Sequence, residues 1–76
     1  MKSVSVLLNT IEKVKGFVNI ISTFNGDFDL SSERYIVDAK SIMGIFSLDL
    51  GKTLRLDIHD PAEADKAIEQ LKDYIV

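Results

Sequence analysis

The stretch of sequence that decides the fold reads KSIMGIFSL and runs from Lys40 to Leu48. Serine is a preferred helix N-cap, so Ser41 predicts a short helix over Ile42 to Phe46. The stretch is also the densest apolar run in the chain, with large apolar side chains at Ile42, Met43, Ile45, Phe46 and Leu48. A helix of two turns cannot bury apolar side chains on every side. Two interpretations are therefore open, namely core packing alone or a partly exposed patch that binds a partner.

Strand-like segments lie on both sides of this stretch. Apolar and polar residues alternate from Lys2 to Leu8 and again from Thr53 to His59, which is typical of strands with one buried face. Two shorter segments, Asp27 to Leu30 and Tyr35 to Val37, are separated by the polar turn Ser31 to Arg34. These two segments predict a hairpin.

Two longer helices are indicated by their caps and apolar spacing. Asn9 is a candidate N-cap, with Glu12 completing a capping box. The apolar stripe that follows is Ile11, Val14, Val18 and Ile21, with Phe17 and Phe24 beside it. Within this helix, Gly16 weakens the helix by roughly 1 kcal/mol relative to alanine and is expected to allow close approach to the sheet.

The final helix has the clearest start signal in the chain. Asp60 is the expected N-cap, Pro61 occupies the first helical position and Glu63 completes a second capping box. Its predicted apolar stripe is Ala64, Ala67, Ile68, Leu71 and Ile75. The element order is thus β-α-β-β-α-β-α, and alternating strands need helices over one face, which predicts a two-layer α+β sandwich.

Composition excludes several classes of function. The chain has 76 residues, no cysteine, a net charge of −3 and 46% hydrophobic residues, which suits one small folded domain. The nine basic residues form no cluster, so nucleic-acid binding is not expected. No apolar run is long enough for a membrane span, and we expect a protein of the cytoplasm without membrane contact. No metal cluster, cofactor loop or paired nucleophile and base is evident, so neither a cofactor nor enzyme activity is expected.

The segment from Lys40 to Leu48 resembles the central segment of HPr, the histidine-containing phosphocarrier family of the bacterial sugar phosphotransferase system. The resemblance extends without a gap from Thr10 to Lys52, and Phe17 to Leu30 is similar to the family's first helix and the strand after it. It implies a single HPr-like domain over residues 1–76. The implied fold is a four-stranded antiparallel sheet with helices on one face.

The family's active-site loop is of the type Gly-Leu-His-Ala-Arg-Pro, and this chain departs from it. The position of the phosphorylated histidine falls on Thr10, that of the arginine on Glu12 and that of the proline on Lys13. A threonine hydroxyl cannot replace an imidazole as a reversible phosphoryl carrier. The sole histidine, His59, is expected at the far end of the sheet, in a surface or capping role. The resemblance therefore implies an HPr-like protein that is not a phosphohistidine carrier.

Binding or regulation remains as the expected role. In many Gram-positive members the serine that matches Ser41 is phosphorylated by a dedicated kinase, so Ser41 is either a cap alone or a cap and a phosphosite. The patch formed by Ile42, Met43, Phe46 and Leu48 is the expected partner-binding surface. The implied partners of this monomer are enzyme I, sugar-specific phosphotransferase domains or a transcription regulator. The alternatives are a regulatory phosphoprotein through Ser41 and a phosphocarrier by family assignment.

Overall fold

The structure is a computed structural model that describes all residues from Met1 to Val76. Its elements, in chain order, are β1 (Lys2–Val6), α1 (Ile11–Ile21), β2 (Phe28–Ser31), β3 (Ile36–Asp38), α2 (Ile42–Phe46), β4 (Leu54–Ile58) and α3 (Pro61–Gln70). This order confirms the predicted β-α-β-β-α-β-α arrangement, and the predicted bounds of α2 are correct. None of the three helices has the length and apolar character needed to cross a membrane.

The four strands form one antiparallel sheet in the order β1-β4-β2-β3. Lys2 pairs with Ile58 and Val6 with Leu54, so the start of β4 lies beside the end of β1. The predicted hairpin is present as β2 and β3. The helices cover the apolar face of the sheet, while Ser3, Ser5 and Arg55 are exposed on the opposite face.

The core consists of seventeen buried residues, all of them apolar. Most of the side chains predicted to be buried belong to it, and Val4, Val18 and Ile68 pack against its margin. Ile11, the first residue of the predicted apolar stripe, is 59% exposed, because it occupies the first position of α1 and Val14 is the first residue of that helix to reach the core.

The N-terminal caps of the long helices differ in detail from the predictions. Thr10, not Asn9, caps α1, because its backbone is extended and its hydroxyl oxygen accepts a hydrogen bond from the Lys13 backbone N–H at 3.1 Å. Asp60 caps α3 as predicted. Glu63 does not complete a capping box there; its carboxylate accepts hydrogen bonds from backbone N–H groups of the loop between α1 and β2.

The last residues of the chain return to the sheet and do not extend α3. The helix ends at Gln70, so the expectation that Ile75 continues its apolar stripe is wrong. Instead, Ile75 forms an isolated antiparallel bridge with Val6, and the carbonyl of Tyr74 accepts a hydrogen bond from the backbone N–H of Leu7. A Cβ atom at Gly16 would collide with the Tyr74 hydroxyl, so this glycine permits close approach of the C-terminal segment and not of the sheet.

Candidate functional site

The start of α1 is where the family resemblance implies the phosphoryl site. Thr10 is exposed and acts as the N-cap, and Glu12 is exposed in the first turn. The ammonium of Lys13 donates to the Asn9 side-chain oxygen at 3.1 Å, which ties the loop to the helix. Ile11 is also exposed at this point. The site thus presents a hydroxyl, a carboxylate and an apolar side chain, with no imidazole.

Ser41 stands at the start of α2, as predicted. Its hydroxyl oxygen accepts a hydrogen bond from the Gly44 backbone N–H at 3.3 Å, and its own N–H donates to the Asp38 carbonyl at 2.9 Å. The residue is exposed. Ser41 therefore caps the helix and is itself exposed to solvent.

The apolar run of α2 divides between core and surface. Ile45 is fully buried, whereas Met43 is 76% exposed, Phe46 is 40% exposed and Ile42 is partly buried. The expectation that Leu48 contributes to the exposed patch is wrong, because it is only 6% exposed. The chain turns after the helix, with the Leu48 N–H donating to the Ile45 carbonyl, and the Leu48 side chain enters the core. We call the remaining surface, formed by Ile42, Met43 and Phe46, the α2 patch.

Lys40 holds the start of α2 to the rest of the domain. Its partly buried ammonium donates to the Phe24 carbonyl at 2.6 Å and lies 5.7 Å from the centre of the Phe28 ring. Its backbone N–H donates to the Asp38 carboxylate at 2.9 Å. These contacts tie the turn that leads into α2 to the loop after α1 and to β2.

His59 lies at the other end of the sheet from Thr10. It follows β4, whose last residue, Ile58, pairs with Lys2 at the start of β1, whereas Thr10 follows the end of that strand. The Nε2 atom of His59 is 2.7 Å from an Asp29 carboxylate oxygen, and both side chains are partly exposed. The sequence correctly predicted this position.

The uncovered face of the sheet carries a small charged network. The Ser3 hydroxyl donates to the Asp57 carboxylate at 2.5 Å, and the Arg55 guanidinium donates to the same oxygen at 2.7 Å. The hydrogen bond from Ser3, followed by the contacts with Arg55, holds the pKa of Asp57 below its ordinary value. This network lies on the face opposite the helices, so it supports the sheet and is not part of the α2 patch.

Other candidate binding features are limited. An open cleft of about 390 Å³ lies beside the end of α2, lined mainly by polar side chains of the segments 32–35 and 47–52. The histidine, aspartate and glutamate side chains form no group of three that could hold a metal ion. The α2 patch is one of several places where large apolar side chains are exposed, since Ile11, Tyr35 and Ile36 are exposed as well.

Sequence reasoning missed two contributors to this region. Ile11 has the spacing of the apolar stripe, but it is exposed on α1, a helix that contacts α2. Lys40 was recognised as part of the family-like segment, but nothing in its sequence context indicated a bond to the Phe24 carbonyl. Helical spacing alone does not indicate that Ile11 is exposed, because it does not tell at which turn of α1 the helix first contacts the core.

Comparison with known proteins gives a consistent result. Residues 13–76 match the family model described as the PTS HPr component phosphorylation site. The crystal structure of a phosphocarrier protein HPr from Bacillus anthracis str. Ames is 30% identical, with a TM-score of 0.77, covering 99% of this chain and 94% of that one. The crystal structure of HPr-C-His from Thermoanaerobacter tengcongensis is 29% identical, with a TM-score of 0.80, covering 96% of this chain and 89% of that one.

A more distant neighbour confirms the fold alone. The histidine-containing phosphocarrier protein of a Mycoplasma is 16% identical, with a TM-score of 0.77, covering 95% of this chain and 89% of that one. No curated protein matches the chain. The family match covers most of the sequence and the structural neighbours agree with it over nearly the whole fold, so the chain belongs to the HPr family.

Proposed function

We propose that this protein is an HPr-like binding or regulatory module of the phosphotransferase system and that it does not carry phosphohistidine. The observation that carries the proposal is the exposure of Met43 and Phe46 on a helix that fully buries Ile45 and partly buries Ile42. Exposed large apolar groups in so small a domain are a solubility liability unless they serve an interface. Methionine is also well suited to adaptable interfaces because its side chain is flexible and polarisable.

The residues at the start of α1 support the second part of the proposal. Thr10 uses its hydroxyl oxygen as the helix cap, and Glu12 places a negative charge in the first turn. A threonine phosphate ester transfers its phosphoryl group far less readily than a phosphoramidate does. Glu12 would also repel a phosphoryl group that the helix N-terminus otherwise favours.

His59 is a poor substitute for a carrier histidine. It is at the opposite end of the sheet from the start of α1, and its Nε2 atom is engaged with Asp29. A partner that approaches the α2 patch and the start of α1 would not reach it. This placement favours binding over phosphoryl relay.

The partners that we propose are proteins of the phosphotransferase system in the cytoplasm, namely enzyme I or a sugar-specific domain, or a transcription regulator. The test is titration of the labelled protein with enzyme I from the same organism. Met43→Asp should weaken the complex by the ~1–3 kcal/mol typical of an interface residue. Val76→Asp is a matched control, because Val76 is comparably exposed but lies at the chain end. Equal binding by both variants and the wild type would exclude the α2 patch as the docking surface.

Phosphorylation with phosphoenolpyruvate and enzyme I tests the carrier question directly. We expect no acid-labile phosphate on the protein, since no imidazole is present at the start of α1. Phosphate on His59 that passes on to a sugar-specific domain would instead establish a phosphocarrier, which is the function that family membership alone would suggest.

A second candidate function is regulation through phosphorylation of Ser41. The observation that favours it is the exposure of Ser41, the residue directly before Ile42 of the α2 patch. A phosphate there would change the charge beside Met43 without entering the core. Incubation with ATP and the serine kinase of a phosphotransferase system, with Ser41→Ala as the control, separates this function from binding alone. Incorporation of phosphate into the wild type only would favour regulation.

A further inference from the structure

A single peptide group lies between two charged side chains from distant parts of the chain. It is the peptide that joins Phe24 to Asn25, in the loop between α1 and β2. Its carbonyl accepts a hydrogen bond from the Lys40 ammonium at 2.6 Å. Its N–H donates to one carboxylate oxygen of Glu63 at 3.1 Å. The peptide thereby connects the start of α2 with the first turn of α3.

The Glu63 end of this bridge is built closely. The second carboxylate oxygen accepts a hydrogen bond from the Gly26 N–H at 2.8 Å, so Glu63 binds two successive backbone N–H groups. A Cβ atom at Gly26 would lie only 2.7 Å from that oxygen and 2.8 Å from the Asp60 Cβ atom. The loop can therefore approach α3 this closely only because residue 26 is glycine.

Neither charged group has a charged partner of its own. The ion pairs in the structure join other residues, and both Lys40 and Glu63 are partly buried. Hydrogen bonds that involve an ionised group are roughly twice as strong as neutral ones, and they strengthen further away from bulk water. A peptide group polarised by a cation at its oxygen and an anion at its N–H is a favourable arrangement for both charges. Loss of either charge weakens the bond that the other one makes.

We infer that Lys40 and Glu63 are positioning residues that set the orientation of the α2 patch through this shared peptide. The inference rests on the proposed docking role, since it explains how the docking surface is held. Glu63 is on α3 and is not part of the α2 patch, so its effect on binding would be transmitted through the Phe24–Asn25 peptide and Lys40. A purely local role would confine the effect of Lys40 to the turn before α2 and that of Glu63 to α3.

The free protein provides the first test. Glu63→Gln should shift the backbone amide resonances of Met43 and Phe46 on α2, and Lys40→Met should shift those of Asn25 and Gly26. Lys40→Arg should restore the wild-type pattern in part, because arginine can also donate to the carbonyl. The matched controls are Glu69→Gln, an exposed acid on the same helix, and Lys52→Met, an exposed lysine.

A double-mutant cycle on unfolding makes the test quantitative. Because both residues act on one peptide, the double variant should be destabilised by clearly less than the sum of the two single variants. Additive losses, together with α2 resonances that do not respond to Glu63→Gln, would overturn the inference. Neither single substitution removes a side chain of the apolar core, so both single variants should remain folded.

Titration with enzyme I separates this inference from the docking proposal. If the α2 patch does bind enzyme I, Lys40→Met and Glu63→Gln should each weaken binding by about threefold to tenfold. The double variant should bind no more weakly than the more severely affected single variant. The exposed controls should bind like the wild type. If the wild type does not bind enzyme I, the docking proposal fails for that partner, while the resonances and the cycle still decide whether the bridge holds α2.

Discussion

Met43→Asp tests whether the α2 patch is surface or core. Full burial of a methionine side chain contributes about 1.5–3 kcal/mol, and only about a quarter of Met43 is covered, so its packing contributes roughly 0.4–0.7 kcal/mol. For a domain of this length, the free energy of unfolding should be about 4–11 kcal/mol. We therefore expect Met43→Asp to lower the midpoint of thermal unfolding by only ~2–6 °C. Circular dichroism during thermal and urea unfolding measures the change.

Ile45→Ala is the contrasting variant, because Ile45 is two residues away in the same helix but fully buried. Truncation of a buried isoleucine costs about 2–5 kcal/mol, which should lower the midpoint by at least ~8 °C. If Met43→Asp were as destabilising as Ile45→Ala, Met43 would be packed in solution. That result would refute the exposure of Met43 in solution, and with it the structural support for a docking role, whatever the binding measurements gave.

Three further outcomes are expected from other parts of the domain. Thr10→Ala should cost about 1 kcal/mol because it removes the cap of α1, whereas Asn9→Ala should cost clearly less; the reverse order in urea unfolding would contradict the cap assignment. Gly26→Ala should destabilise the protein, since its Cβ atom has no room against α3, and a neutral result would show that the loop can move away. Because the pKa of Asp57 is lowered in the folded protein, its ionised form stabilises the fold at every pH above the ordinary pKa near 3.8. This stabilisation is lost as the pH falls through the lower pKa of the folded state. Ser3→Ala should therefore reduce stability by about 1 kcal/mol at pH 7. The difference between the variant and the wild type should shrink as the pH falls below 3.8, and a difference that does not change with pH would contradict the argument.

Local signals in the sequence predicted the elements well because each depends on a few neighbouring residues. Ser41 and Asp60 are caps followed directly by helical residues, and both helices begin where these caps indicate. Alternation located the strands to within two residues at each end. The local pattern also predicted the hairpin of β2 and β3, whereas the pairing of β4 with β1 and β2 came from the family resemblance.

The errors share a different cause, namely contacts between residues distant in sequence. Ile75 has the spacing of a helical stripe, but bridging to Val6 satisfies the open edge of β1, and the helix ends earlier. Glu63 has the spacing of a capping-box residue, yet two backbone N–H groups of a distant loop offer its carboxylate a better partner than its own cap. Such competition cannot be evaluated from spacing alone, because the competing partner is brought near only by the complete fold.

The placement of the core explains how the residues at the start of α1 can vary without loss of the fold. Leu8 and Val14 are fully buried on either side of that turn, so they anchor the loop and the helix to the domain. Thr10 and Glu12, at the positions that the resemblance assigns to the histidine and the arginine, are both exposed between these anchors. Exposed positions tolerate substitution with little effect on stability, apart from the cap at Thr10. The residues at this end of the molecule are thus not tied to the stability of the fold, which is compatible with the proposal of a binding surface without phosphoryl chemistry.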